Sequence, residues 1–323
     1  MSNETTSKTD GQVLLASPRG FCAGVDRAIE IVERALELYG APVYVLHEIV
    51  HNRHVLDRLR GLGVRFVDTL DEIPEGSVTI FSAHGVAEAV ERAGAERGLR
   101  VIDATCPLVT KVHKQAQRAE SRGDQVLLVG HAGHVEVEGT RGRVDSYVAV
   151  VSTPEDVAAL EVADPDKLSY VTQTTLSVDD TREVIDALKA RFPNIEGPAL
   201  EDICYATQNR QNAVKEMIGE VDLLLVVGSQ NSSNSNRLRE LGERSGIPSY
   251  LIDFADDVDP AWLDSGMKVG LTAGASAPEE LVQAVVERLG ALGVSAVREL
   301  EGEPEEVVFH LPKELRAGQV EKL

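Results

Sequence analysis

The sequence predicts an α/β protein of three similar α/β units with small, mainly parallel sheets, related by pseudo-three-fold symmetry. Three observations lead there. Short apolar segments alternate with stretches of helical periodicity along the chain, the pattern of parallel sheets covered on both faces. Three cysteines, Cys22, Cys106 and Cys204, each open a helical stretch, at intervals of 84 and 98 residues. Polar residues then recur behind each cysteine: 29 positions from Cys22 to His51, 28 from Cys106 to His134 and 28 from Cys204 to Ser232. A second beat falls at His84, Thr174 and Ser276, which lie 62, 68 and 72 positions behind the same cysteines.

The first unit, residues 11 to 105, begins with Val13-Leu14-Leu15-Ala16 and turns through Pro18-Arg19-Gly20-Phe21-Cys22-Ala23-Gly24. The helix that follows carries Ile29, Ile31, Val32, Leu36 and Leu38 at helical spacing. Strands Val43-Tyr44-Val45-Leu46 and Val78-Thr79-Ile80-Phe81 lead to His51 and His84. The second unit, residues 106 to 203, starts where Val101-Ile102-Asp103-Ala104-Thr105 meets Cys106-Pro107, the proline suiting the first position of a helix. Its strands, Val126-Leu127-Leu128-Val129 and Leu168-Ser169-Tyr170-Val171, lead to His134 and Thr174. The third unit, residues 204 to 292, has Cys204 before a helical stretch from Tyr205 to Ile218. Its strands Leu223 to Val227 and Val269-Gly270-Leu271 lead to Ser232 and Ser276. A tail, residues 293 to 323, carries the acidic stretch Glu299 to Glu306. The apolar run Val307-Val308-Phe309-His310-Leu311 after it reads as one more short strand, returning to the first unit. Met1 to Asp10 is polar and reads as a frayed tail. Because parallel sheets bind ligands beyond the carboxyl ends of their strands, the recurring polar loops mark one shared centre.

Composition narrows the function. A formal net charge of -21 repels nucleic acid and anionic lipid, so neither is a partner. The polar start lacks the features of a signal or transit peptide, and no apolar stretch approaches the roughly 20 residues of a membrane span, so a cytoplasmic protein is expected. Three widely spaced cysteines in such a chain make a poor disulfide framework and point to metal or redox chemistry.

Each cysteine is placed at a helix N-terminus, where backbone N–H groups and the helix dipole favour thiolate. Three converging thiolates suit a [4Fe-4S] cluster, which normally takes four, and so leave one iron open. Zinc held by the same cysteines and a histidine is the competing reading, although zinc ligands usually come in close pairs and none is present. Around this centre, His51, His84 and His134 supply donors and charge. The loops Ser232-Ser233-Asn234-Ser235-Asn236 and Gly274-Ala275-Ser276-Ala277-Pro278 suit phosphate oxygens, and each reads equally as a helix N-cap. Glu136, two residues beyond His134, is a candidate proton source, while its Val-Glu-Val-Glu setting also fits the exposed face of an edge strand. Thr174 could orient a proton. With no glycine-rich dinucleotide fingerprint, electrons must come from outside. Three function classes fit these residues: an iron-sulfur reductase of a phosphorylated substrate, a zinc-dependent hydrolase of a phosphorylated metabolite, or a non-enzymatic iron-sulfur sensor. A brown, air-sensitive protein that turns over would separate the first from the others.

Several of these segments resemble one family over nearly the whole chain. Pro18-Arg19-Gly20-Phe21-Cys22-Ala23-Gly24-Val25, Val50-His51-Asn52, Ser82-Ala83-His84-Gly85-Val86 and Asp103-Ala104-Thr105-Cys106-Pro107 are similar to motifs of the LytB/IspH family of 4-hydroxy-3-methylbut-2-enyl diphosphate reductases. So are Gly133-His134 with Glu136-Val137-Glu138-Gly139, Thr172-Gln173-Thr174-Thr175-Leu176 and Ser232-Ser233-Asn234-Ser235. The resemblance implies a trefoil around a central cluster held by Cys22, Cys106 and Cys204. It implies that His51, His84, His134, Ser232, Ser233, Asn234 and Ser276 bind the diphosphate of an allylic substrate, and that Glu136 and Thr174 handle protons. It further implies that the substrate hydroxyl meets the open iron, that ferredoxin or flavodoxin supplies two electrons, and that isopentenyl and dimethylallyl diphosphates result, ending the methylerythritol phosphate route. One departure is visible: Val135 stands where the family usually has proline.

Overall fold

The computed structural model describes residues 11–198, 202–302 and 304–316. The expected frayed tail, Met1 to Asp10, lies outside them. In chain order the first elements are β1 (Gln12–Leu15), α1 (Ala23–Tyr39), β2 (Val43–Leu46), α2 (Arg53–Gly61), β3 (Val64–Val67), β4 (Val78–Phe81), α3 (Glu88–Glu96) and β5 (Arg100–Asp103). Next come α4 (Pro107–Ser121), β6 (Gln125–Val129), α5 (Val135–Arg141), β7 (Ala149–Val151), α6 (Pro154–Ala159), β8 (Leu168–Thr172) and α7 (Val178–Arg191). The chain continues with α8 (Tyr205–Ile218), β9 (Leu223–Val227), α9 (Ser233–Arg244), β10 (Ser249–Ile252), β11 (Lys268–Ala273), α10 (Glu279–Ala291) and β12 (Ala296–Glu299).

The strands form three sheets, ordered β3-β2-β4-β5, β7-β6-β8 and β10-β9-β11-β1-β12. Every pairing within them is parallel, as the alternation of strand and helix predicts. Local chemistry sets the helix starts. Pro107 fills the first turn of α4, the Thr153/Asp156 capping box with Pro154 opens α6, and Ser177 accepts from the Asp180 amide at the start of α7. The fully buried Leu-Leu-Leu-Val-Val run of β9 is the signature of a strand covered on both faces.

Two expectations are corrected. β1, read as the head of the first unit, pairs instead with β11 and β12 in the five-stranded sheet. Burial explains the choice: Val13 and Leu15 pack with Leu223, Leu225 and Leu271, while Leu14 and Ala16 face Val214 and Leu224 on the other side. Each of the Val and Leu side chains removed from water contributes about 1.5–3 kcal/mol. The Val307 to Leu311 run is not a strand. Val308 is 76% exposed, so no sheet covers it, and the last strand among the described residues is β12, four exposed residues at a sheet edge.

The chain divides into two compact units. One is built from the chain up to Cys22, His51–His54 and Gln208–Glu306, and holds the five-stranded sheet. The other is built from Ala23–Val50, Val55–Thr207 and the chain from Val307, and holds the other two sheets.

Gly85, directly after His84, has φ +77°, and a Cβ there would stand 2.5 Å from Cε1 of His113 on α4. That imidazole is buried and its pKa is lowered to about 4, by burial first and then by the nearby Arg143 charge, so it packs as a neutral ring. Gly85→Ala is expected to destabilise the fold by about 1–3 kcal/mol through overpacking and strained backbone. An unchanged melting curve by circular dichroism would show that the loop yields freely.

Candidate functional site

Each cysteine stands immediately before or at a helix start, and each turn is fastened by its own amide. The Cys22 N–H donates to the Ala275 carbonyl at 3.2 Å, that of Cys106 to Ala83 at 3.0 Å, and that of Cys204 to Thr174 at 3.0 Å. The acceptors lie at or one residue before Ser276, His84 and Thr174, the three positions of the second sequence beat. One repeated backbone bond therefore ties each thiol to a polar loop.

In the unit with the five-stranded sheet, the Ser276 hydroxyl donates to the His51 carbonyl at 2.8 Å, and the Asn231 side chain lies 3.3 Å from His51 Nδ1. Ser232 caps α9, its Oγ accepting from the Ser235 amide at 3.3 Å. Ser233 is the first residue of α9, and buried Asn234 accepts from the Ala275 amide at 2.9 Å, joining the two polar loops. The capping reading holds for Ser232 and not for Ser276, because α10 is entered through Pro278 with no side-chain cap. The backbone before Cys22 is held by Arg210, whose side chain is wholly buried. Its guanidinium donates to the carbonyls of Gly20 at 2.9 Å and Phe21 at 3.1 Å, and pairs with Glu305 at 3.0 Å.

In the other unit, His84 Nδ1 lies 3.2 Å from the Ser82 hydroxyl, and the His84 and His134 rings meet edge to face with centroids 6.1 Å apart. His134 caps α5 by accepting the Glu136 amide on Nδ1 at 3.2 Å, which puts any proton of a neutral ring on Nε2. Val135 takes the first helical position, where proline is also favoured, so its presence leaves this turn intact. Glu136 is helical and 3% exposed, which removes the edge-strand alternative; Glu138 is the exposed member of the pair. Both Glu136 oxygens are held by Thr174, one by its amide at 2.6 Å and the other by its hydroxyl at 3.0 Å. Burial pushes the Glu136 carboxyl up to about 7, against the lowering pull of the two Thr174 bonds, and the Asp202 charge adds to the rise. Asp202 itself is buried, accepts from the Thr172 amide at 3.4 Å and lies 3.5 Å from Lys111 Nζ; burial raises its pKa too.

Sequence reasoning did not single out Arg210 or Asp202. Arg210 falls in the polar part of the helical stretch after Cys204 and Asp202 stands two residues before that cysteine, so the one available signal was proximity to a cysteine.

The thiols are free of disulfides and half-buried, and Cys204 Sγ lies 3.4 Å from the Thr207 amide and 3.2 Å from its hydroxyl. This donor set suits a thiolate-bound group. Among the described residues no three His, Cys, Asp or Glu side chains are already gathered as a metal-ion site, so the fit rests on the chemistry of the donors. No described helix is long and apolar enough to cross a membrane.

The chain is 60% identical over 310 residues to the 4-hydroxy-3-methylbut-2-enyl diphosphate reductase of Azoarcus sp., covering 96% of this chain and 99% of that protein. It is 60% identical over 325 residues to the reductase of the same name from Bordetella pertussis, covering 100% of both. A solved structure of E-1-hydroxy-2-methyl-but-2-enyl-4-diphosphate reductase from Plasmodium falciparum is similar at a TM-score of 0.91 and 38% identity. It covers 95% of this chain and 97% of that one. A sequence profile described as LytB protein matches residues 13–290. With the profile and full-length relatives in agreement, the chain belongs to the LytB protein family.

Proposed function

We propose that the chain is a cytoplasmic 4-hydroxy-3-methylbut-2-enyl diphosphate reductase that converts its substrate to isopentenyl and dimethylallyl diphosphates, the terminal step of the methylerythritol phosphate route. The observation that carries this reading is Glu136, a buried carboxyl near pH-7 titration clamped by Thr174, in a chain 60% identical end to end to reductases of that name. Cys22, Cys106 and Cys204 would hold a [4Fe-4S] cluster. When bound, that group supplies electrons one at a time and an iron open to the substrate oxygen.

The chain's own residues do the rest. His51, Ser232, Ser233, Asn234 and Ser276, with His84 and His134, bind the diphosphate through hydroxyl, amide, imidazole and helix-terminal N–H donors. Glu136 holds the proton that lets the hydroxyl leave as water, and Thr174 fixes the carboxyl that carries it. Protonation at either end of the allylic unit accounts for two products. An external donor such as ferredoxin or flavodoxin supplies the electrons. An anaerobic assay that follows both products tests the reading; failure to consume substrate with any low-potential reductant would end it.

The anion site has its own test. His51→Ala and Ser276→Ala should each weaken diphosphate binding about 10- to 100-fold, the range for losing a hydrogen bond to a charged group. The cluster absorption should stay intact, because neither residue is a proposed ligand. Unchanged affinity in both variants would leave these side chains a purely structural role.

A further inference from the structure

One cavity runs against the charge of the chain as a whole. About 520 Å³ in volume, it is lined by four cations, Arg27, Lys111, Lys114 and Arg118, and by a single carboxylate, Asp103. The chain overall carries 53 acidic and 32 basic residues, so a local excess of three positive charges is a departure that needs a reason. Lys111, Lys114 and Arg118 fall at i, i+3 and i+7 of α4, on one helical face, and α4 is the helix capped by Cys106.

The four cations are of two kinds. Arg27 and Lys111 are anchored beside the cysteine turn. Arg27 donates to the carbonyls of Ala104 at 3.2 Å and Thr105 at 3.1 Å, the two residues before Cys106, and Lys111 lies 3.5 Å from buried Asp202. Lys114 and Arg118 are exposed, and among the described residues neither side chain makes an ion pair or hydrogen bond. These two stand on the rim of a positive cavity that starts at a cysteine turn.

We propose that this face of α4 is the docking surface for the electron carrier, an acidic one-electron redox protein whose carboxylates seat on Lys114 and Arg118. The inference rests on the reductase reading above, which requires an external donor. Two reduced carriers each give up one electron per turnover. The substrate takes up those two electrons and two protons, its C–O bond breaks, a C–H bond forms and water leaves. The surrounding negative field turns an acidic carrier away elsewhere, and the local positive field directs it to the α4 face whose cavity reaches the Cys106 turn. Charges placed this way act mainly on association and its salt dependence.

The test is anaerobic titration of the holoenzyme with a plant-type [2Fe-2S] ferredoxin of net negative charge, comparing wild type with Lys114→Glu/Arg118→Glu. The double variant should raise Kd at least about 10-fold at low ionic strength, with the gap closing as salt approaches about 0.5 M. Turnover driven by reduced methyl viologen, a small cation that needs no docking surface, should be retained. Lys189→Glu on α7, exposed and remote in sequence, should leave Kd unchanged. Equal Kd for wild type and double variant, or an equal loss in Lys189→Glu, overturns the proposal. Because binding is read without turnover, a wild type inactive with viologen would sink the reductase reading while the Kd comparison still decides docking.

Discussion

Replacing Cys106 with alanine is expected to abolish the visible absorption of anaerobically prepared protein and take its iron content from near four per chain to near zero, with activity lost alongside. Three thiolates are already one fewer than such a cluster usually takes, so a further loss leaves too few protein ligands to retain it. The fold should survive. The bond that fastens the turn is made by the Cys106 backbone amide to Ala83, and Pro107 opens α4 independently of the thiol. Far-ultraviolet circular dichroism should therefore match wild type while the colour is gone. A colourless native protein carrying one zinc per chain would overturn the cluster assignment.

Replacing Glu136 with glutamine should slow turnover by about 100- to 10,000-fold with substrate affinity retained, because the proton is lost while size and most hydrogen bonding remain. The pH dependence follows from the same carboxyl. Burial first, with the Asp202 charge, raises its pKa from 4.5 to about 7, so the protonated donor and its share of the rate decline as pH rises through about 7. The stability sign agrees. A carboxyl whose folded pKa is raised favours the folded state in its neutral form, a contribution complete below about pH 4.5 and lost as pH rises through about 7. Wild type should thus lose melting temperature across that window relative to Glu136→Gln. Glu138→Gln, on the exposed side of α5, should have little effect on either readout. Normal turnover in Glu136→Gln would move the proton source elsewhere.

Much of this was legible because apolar runs and loop chemistry repeat. The strands before His51, His84, His134, Thr174, Ser232 and Ser276 are buried, and burial is what an apolar run encodes. The place of β1 in the five-stranded sheet also has a signal in the sequence. β5 precedes Cys106 and pairs with β4, closing the sheet that comes before that cysteine. The same rule applied to Cys22 puts β1 in the last sheet of the chain. β12 gave no signal, since Ala296, Val297, Arg298 and Glu299 are all exposed and bury no face. Arg210 was hidden for a different reason. It lies in the polar run Gln208-Asn209-Arg210-Gln211-Asn212, and its burial depends on Glu305, 95 positions away.

The place of β1 also governs how the chain must be made. Gln12 has Lys268 and Ala296 as its register partners, so the strand leaves the ribosome 256 and 284 positions ahead of the neighbours that cover its two edges. At roughly 5–20 residues per second the wait for both is about 15–60 s, long compared with the microseconds to seconds in which small domains collapse and fold. During it, Gln-Val-Leu-Leu offers unpaired N–H and C=O groups along an apolar strand, a template for pairing with another nascent chain. The demand on chaperones therefore falls on β1, and polypeptides released before β11 keep it bare on both sides.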